Sequence, residues 1–467
     1  MTQTLPPATA PCKYFDVCKL PASFNHPTGA FCILHLPDPG KNIQEFEATV
    51  RQHLSQGRSD FRYVYFRKGS HANFDKVTFP GLADFRDAVI PAEYLLLREA
   101  SMPLGLTVTG ESINAIFLEK ATVGGPVDIR VGTVPGGIQA YKAKFSGDIS
   151  IRITEAGGLD LRSELGGRVT VRGRYQSCTF DGGAIRGILD LRESTLSAQP
   201  GFNGTVFAPE AELDLTGSVV QGGLSIVGPT PPGVIRLDGS TIGGPTAVEA
   251  TMGARTPSIV AENMEPRFTG KVTFANVNLE RCRLVGNSIA QMEFTNVQWP
   301  TRFSRSILYD EISMRRRVRI PIGNLKEAYQ ALKQTYQWMG DHARAGDFHY
   351  GEMEMRRRQD GWRRRFLSPE FLYWALSGYG TGYIRASLWL LFLAVGPAGV
   401  YWWSSSVAFS SDFLKALYFS IQVATLQRPP TPHGLSAGGQ WLQLAQTILG
   451  PVQIALFALA LRMRLKR

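Results

Sequence analysis

The sequence predicts a mixed chain: a solenoid of short repeating units, then a helical connector, then two membrane-spanning helices with a re-entrant helix between them. Three observations predict it. Six apolar residues recur in strict steps of five from Phe274 to Trp299; two long apolar stretches near the C-terminus carry no charge; and the segment between them is helical in pattern yet too polar to span. At 467 residues the chain holds more than one domain, and the composition shifts place boundaries at 1–40, 41–59, 60–303, 304–382 and 383–467.

The first element is Cys12-x5-Cys18-x13-Cys32-x2-His35. Three thiols and an imidazole match a closed, tetrahedral structural zinc site, since all four are soft or borderline donors that ligate at about 2.0 to 2.3 Å. Cys32-Ile33-Leu34-His35 is a tight chelating turn, and the flanking Pro and Gly residues supply loops. Three buried thiols beside a capping histidine is the alternative reading of the same residues. Five cysteines form no paired disulfide framework, which agrees with a reducing cytosol. Met1 to Pro11 is polar and proline-rich, unlike a signal peptide. Asn42 to Gln56 reads as a short amphipathic helix.

From there the periodicity changes. Phe74 and Phe79 lie five apart, as do Phe85, Ile90 and Leu95. The beat returns in Phe274, Leu279, Leu284, Ile289, Phe294 and Trp299, a period that fits neither helix nor strand. One large residue every five suits a four-sided coil in which each unit forms one side and points one side chain to the centre. The units, with a small residue two before the central Phe or Leu as in Ala83-Asp84-Phe85-Arg86-Asp87, resemble the pentapeptide-repeat proteins. That resemblance implies a right-handed parallel β-helix over residues 60–303, and Leu159-Asp160-Leu161, Leu189-Asp190-Leu191 and Leu213-Asp214-Leu215 continue the solenoid where the strict count lapses. The aspartates alternate with apolar residues, so they are expected on a solvated outer face. No His or Lys/Arg cluster is seen to accompany them at a fixed rung spacing, and no enzyme is expected. Some members of that family imitate DNA with a strongly acidic surface; a net charge of +11 excludes that role here.

Residues 323–366 read as helical. Leu325, Tyr329, Leu332, Tyr336 and Met339 share a face, Gly340 stops the first helix and Asp341 caps the second. AGDFHYGEMEMRRR is similar to the connector of pentapeptide-repeat proteins that end in a channel-like hairpin.

Ala386–Trp403 and Trp441–Leu461 are each long enough to cross a hydrocarbon core of roughly 30 Å. Between them Ser411–Gln427 is helical in pattern, and RPPTPHG after it cannot continue a helix. The order of elements, with LKALYFSIQVATL and QLAQTILGPVQIALFALALRMR, resembles the two-transmembrane pore-loop channels of the potassium-channel type. The resemblance implies a homotetramer that carries an inorganic ion through a lipid bilayer. It also locates a filter region at Thr425, Leu426, Gln427 and Arg428, where this chain departs from the family: the glycines of a TVGYG-like filter are missing, so potassium selectivity is not expected. A ring of Arg428 guanidiniums would raise the barrier to cations and favour anions, whereas an Arg428 turned out to the headgroups would leave a closed loop. Gln443, Gln446, Gly450 and Gln453 share one face of the last helix and are expected to line the path, with interhelical hydrogen bonding between subunits as the alternative.

The basic residues fall in runs at 315–319, 356–365 and 462–467; the second lies before the first apolar stretch and the third directly after the second, whereas the loop between them carries only Asp412, Lys415 and Arg428. By the positive-inside rule both termini are expected in the cytoplasm, and the runs to face lipid headgroups instead of nucleic acid; the membrane expected is the inner membrane of a bacterium. Tyr401, Trp402, Trp403 and Trp441 are expected to form an outer interfacial belt. The function expected is an ion-channel-like membrane protein with a cytoplasmic solenoid; the alternative is a non-conducting membrane anchor that displays the solenoid as an interaction scaffold.

Overall fold

The computed structural model describes residues 10–66, 72–90, 93–303, 305–316, 318–359, 368–380, 382–404, 412–427, 429 and 435–465. Two compact units divide the chain, Met1–Pro300 and Thr301–Arg467.

The first unit is a β-solenoid closed at its N-terminal end by a small module. Parallel strands stack in register along the coil, in sheets of 18, 6 and 4 strands. Register partners show the coil length. Phe274 pairs with Phe294 and Ile149 with Val169, in both cases the offset that four sides of five require. Val248 pairs with Phe274 at a longer offset, so an insertion is absorbed at a corner without loss of stacking. The five-step residues all point inward: Phe74, Phe79, Phe85, Leu95, Phe274 and Leu279 are each at most 1% exposed. Phe61, Phe74 and Phe85 pack ring on ring at 4.9 to 5.3 Å near the N-terminal end, and Phe294 meets Trp299 at 5.2 Å near the other. Such a ladder of aromatic and aliphatic centres is the solenoid's core. A recurring corner lies two residues after a buried one and has positive φ: Glu99, Lys120, Lys142 and Glu193 adopt it, and glycine takes the position at Gly217 and Gly239, where it carries no strain.

Of the aspartates expected on a solvated face, Asp160 keeps partial exposure, but Asp190 and Asp214 are buried. Asp190 is 0% exposed and Asp214 and Asp84 are 8% and 5%, because arginines cover them. Asp-x-Arg recurs, and each pair closes on itself: Arg86 lies 2.6 Å from Asp84, Arg162 2.6 Å from Asp160, and Arg192 2.7 Å from Asp190. In a strand, residues two apart share a face, so the pairing follows from the spacing. The expectation of no arginine cluster is therefore corrected: Arg168, Arg172 and Arg192 all converge on Asp190.

Helix α1 (Phe15–Cys18) and the hairpin Phe24–His26/Gly29–Phe31 belong to the N-terminal module. Helix α2 (Ile43–Ser55) is capped by Asn42 and lays Phe46 on Phe66 and His53 on Phe61, covering the first coil.

In the second unit, α3 (Tyr309–Arg315) precedes α4 (Ile322–Trp338) and α5 (His342–Gln359), which pack together. Leu325, Tyr329, Leu332 and Tyr336 are buried as the spacing predicts, but Met339 is exposed, because the helix has ended before it. Gly340 has φ 76° and Asp341 Oδ1 accepts from Arg344 N at 3.0 Å, the expected stop and cap. Gly351 on α5 lies against Tyr329, where an added Cβ would sit 2.6 Å from the ring. Part of the basic run is internal, since Arg357 and Arg358 both bind Glu354 at 3.0 and 2.9 Å. Helix α6 (Pro369–Ser377) leads to α7 (Tyr383–Ser404), the short α8 (Phe413–Ala424) and α9 (Ala437–Leu465). Two of these helices, over Tyr383–Trp403 and Ala437–Arg462, are long and apolar enough to cross a membrane, and most of their surface is uncovered in the single chain.

Candidate functional site

The structure brings Cys12, Cys18, Cys32 and His35 together. Their ligand atoms all lie within 4.8 Å of one another and all four residues are buried. Cys12 precedes α1 and Cys18 ends it; Cys32 follows the hairpin and starts a turn closed by Leu36 N donating to Cys32 O at 3.0 Å, which brings His35 back over the sulfurs. Cys32 Sγ is 3.7 Å from Cys18 Sγ and 3.3 Å from His35 Nδ1, and Cys12 Sγ is 3.7 Å from His35 Nδ1. A tetrahedron with Zn–S of about 2.3 Å has edges of about 3.8 Å, so the donor set fits that ion.

The surroundings suit thiolates. Backbone N–H groups of Cys32 and Leu20 donate to Cys12 Sγ and Cys18 Sγ at 3.3 and 3.5 Å. His35 Nε2 lies 3.0 Å from the Arg62 carbonyl; a proton there leaves Nδ1 unprotonated and aimed at the sulfurs, the outer-shell contact that fixes a ligating imidazole. Contact with Cys18 and Cys32 pulls the Cys12 thiol below its ordinary range, while Cys12 pushes Cys18 up to about 11 and raises Cys32 as well. Three thiols this close cannot all ionise unless a cation joins them. Lys41, which no motif in the sequence singles out, is buried and donates to the carbonyls of Ile33, Leu34 and Leu36 at 2.9, 3.1 and 3.4 Å, clamping the chelating turn. Burial lowers its ammonium to about 7, opposed by charge on Cys32. Its spacing from the cysteines follows no pattern, so only the folded turn reveals it.

The second site is the hairpin of α7, α8 and α9. At 1.5 Å per residue the 12 residues of α8 reach about 18 Å, too short to span, yet α8 packs on both long helices. Tyr401, Ala416, Phe419, Val423 and Leu435 form the buried core between them. The face expected to line a path is instead spent on this packing. Gln446 is 1% exposed: its Nε2 donates to Leu393 O at 2.8 Å and to Ser420 O and Oγ at 2.9 and 2.7 Å, and its Oε1 accepts from the Tyr401 hydroxyl at 2.9 Å. Gln453, also 1% exposed, donates to Leu376 O and Ala386 O at 3.1 Å. Gly450 lets α9 approach the end of α8 so closely that an added Cβ would sit 2.4 Å from Ala424 O. Gln443 is half-buried. The path-lining expectation for Gln446, Gly450 and Gln453 is thus corrected, because the N–H groups of amides buried inside an apolar bundle turn to the nearest backbone carbonyls, while Gln453 Oε1 stays without a hydrogen-bond partner among the described residues. Tyr401 likewise leaves the expected aromatic belt for the core, while Trp402, Trp403 and Trp441 stay exposed. Ser420 and Tyr401 were visible in the sequence only as polar atoms inside apolar stretches.

Thr425, Leu426 and Gln427 are exposed at the end of α8. Gln427 N donates to Gln422 O and Leu426 N to Val423 O, a Schellman closure in which Leu426 takes φ 61°. A leucine rather than glycine there stores about 1 kcal/mol of strain. Arg428 lies outside the described residues.

No family model, no curated protein and no solved structure matches this chain.

Proposed function

We propose that the chain is one subunit of a membrane-embedded ion pathway, a homotetramer whose solenoid lies in the cytoplasm of a bacterium with the hairpin in its inner membrane. The observation that carries the reading is the short helix α8, packed between two span-length helices and tied to both through Ser420, which donates to Ala394 O at 2.7 Å and accepts from Gln446 Nε2. A helix too short to cross, held at that depth by polar contacts, has its C-terminal end at Thr425 to Gln427 left uncovered for neighbouring copies to meet. The absence of filter glycines argues against potassium selectivity, and Arg428 argues for passage of anions. The Cys3His cluster holds a structural zinc ion that shapes the N-terminal module and leaves no open position for catalysis.

A second reading keeps a specific observation in its favour. With Gln446 and Gln453 turned inward, the uncovered face of α9 is Leu444, Ile448, Leu449 and Val452, which suits lipid and would line a path poorly. That favours a membrane anchor for the solenoid. Ion efflux from liposomes containing the purified protein, with its mass in detergent measured in parallel, decides between them. Tetramers with efflux support the pathway; tetramers without efflux in chloride and in potassium salts support the anchor.

A further inference from the structure

We infer that the solenoid carries a binding site for a soluble phosphorylated small molecule, in the groove lined by Arg152, Arg168, Arg172 and Arg192 around Asp190. The groove has a volume of about 550 Å³ and opens to solvent. Stacking builds it. Arg130, Arg152 and Arg172 are register partners on three successive coils, so like charges stand directly opposite one another, an arrangement that costs stability unless something neutralises it. Arg130 is answered by Asp128 at 2.9 Å and Arg172 by Asp190 at 2.7 Å. Arg152, the middle rung, is exposed and has no ion-pair partner among the described residues.

Asp190 acts as an internal anchor. Its carboxylate is buried and receives Arg168 Nη2, Arg172 Nη2 and Arg192 Nη2, each at 2.7 Å. Burial alone would raise its pKa, and the hydrogen bonds from Arg192, Arg168 and Arg172 more than reverse that, so it stays ionised. One buried carboxylate thus fixes three guanidiniums at the groove wall. Each guanidinium has five N–H donors. Arg168 spends one on Asp190 and Arg192 spends two, leaving the remainder for a ligand. Four guanidiniums face Asp190 and Glu193 in the lining, and Asp214 stands 3.5 Å from Arg192, so positive charge remains in excess. Donors held in place before the ligand arrives, with uncompensated charge and room for more than one phosphate, select a multiply charged oxyanion.

The test is calorimetric titration of the full chain in detergent with sodium pyrophosphate, at low and at high sodium chloride. The native protein is expected to give saturable heat with a dissociation constant below about 1 mM, weakened by salt. Arg152→Gln removes no internal contact and should weaken binding about tenfold; Arg152→Gln with Arg168→Gln should abolish it while two arginines still hold Asp190. Arg130→Gln, one coil away, should bind as the native chain does. Absence of saturable heat, an unchanged affinity in the double variant, or an equal loss in Arg130→Gln would overturn the assignment. A short-chain, water-soluble phosphatidylinositol phosphate is titrated beside it; tighter binding of that lipid than of pyrophosphate would assign the groove to membrane headgroups and refute a soluble ligand.

Discussion

Replacing Cys32 by serine should release the N-terminal module and leave the coil standing. Cys32 is the hub of the cluster, 3.7 Å from Cys18 Sγ and 3.3 Å from His35 Nδ1, and its N–H donates to Cys12 Sγ. Structural zinc in small modules contributes an apparent 10–16 kcal/mol, roughly, which is folding free energy, and loss of one of the four ligands weakens that binding. Only Ala22, Phe31, Ile33, Leu34 and Leu36 add substantial apolar burial over residues 10–36, too little to order that stretch unaided. The reporters are backbone amides with defined partners: Lys13 N to Ala30 O, Ser23 N to Phe31 O and Leu36 N to Cys32 O inside the module, and Leu106 N to Pro126 O and Ile149 N to Arg168 O in the coil. Hydrogen exchange followed by mass spectrometry should show the first group losing about three orders of magnitude of protection, equivalent to about 4 kcal/mol, while the second group is unchanged. Cys178→Ser, at a buried thiol outside the cluster, is the control. Metal analysis of the native protein should find about one zinc per chain. Less than about half an equivalent, or full protection of the module in Cys32→Ser, would refute the reasoning.

Asp190→Asn should destabilise the solenoid at pH 7 by about 3 kcal/mol, since it leaves three arginines without their carboxylate. Because the folded pKa of Asp190 lies below its unfolded value, that stabilisation is whole above pH of about 4 and is lost as pH falls further, so urea midpoints of the native and variant proteins should converge in acid. Phe274→Ala, which empties the centre of one coil, should cost about 3–5 kcal/mol in the same assay. In the hairpin, a cysteine at 446 or 453 should resist small hydrophilic thiol reagents, and Gln446→Leu should lower resistance to denaturing detergent by about 1–3 kcal/mol because the Tyr401 hydroxyl and Ser420 lose their partner.

What could be read from the sequence divides along sequence separation. The cysteine and histidine spacing was legible because all four ligands fall in the one short segment from Cys12 to His35 and the turn at Cys32 is local. The five-residue beat was legible because each unit repeats the same environment, and the inward positions from Phe274 to Trp299 all proved buried. The Asp190 cluster was not, since Arg168, Arg172 and Asp190 meet only after one full coil, 22 and 18 residues apart, and the coil length varies with insertions at its corners. The pairs Asp84-x-Arg86, Asp160-x-Arg162 and Asp190-x-Arg192 were a signal that could have exposed it, because residues two apart share a strand face. On α9 the spacing correctly grouped Gln446, Gly450 and Gln453, but periodicity names a face without saying what that face meets. The partner carbonyls at Leu376, Ala386 and Leu393 lie far upstream, on α6 and α7.

Single-channel recording from purified protein in a planar bilayer, under a potassium chloride gradient, tests the proposed ion pathway most directly. Discrete unitary currents are expected, with a reversal potential that lies toward the chloride equilibrium potential and moves toward zero in Arg428→Gln. Electrically silent bilayers containing intact tetramers, or native currents that reverse at the potassium equilibrium potential, would contradict it.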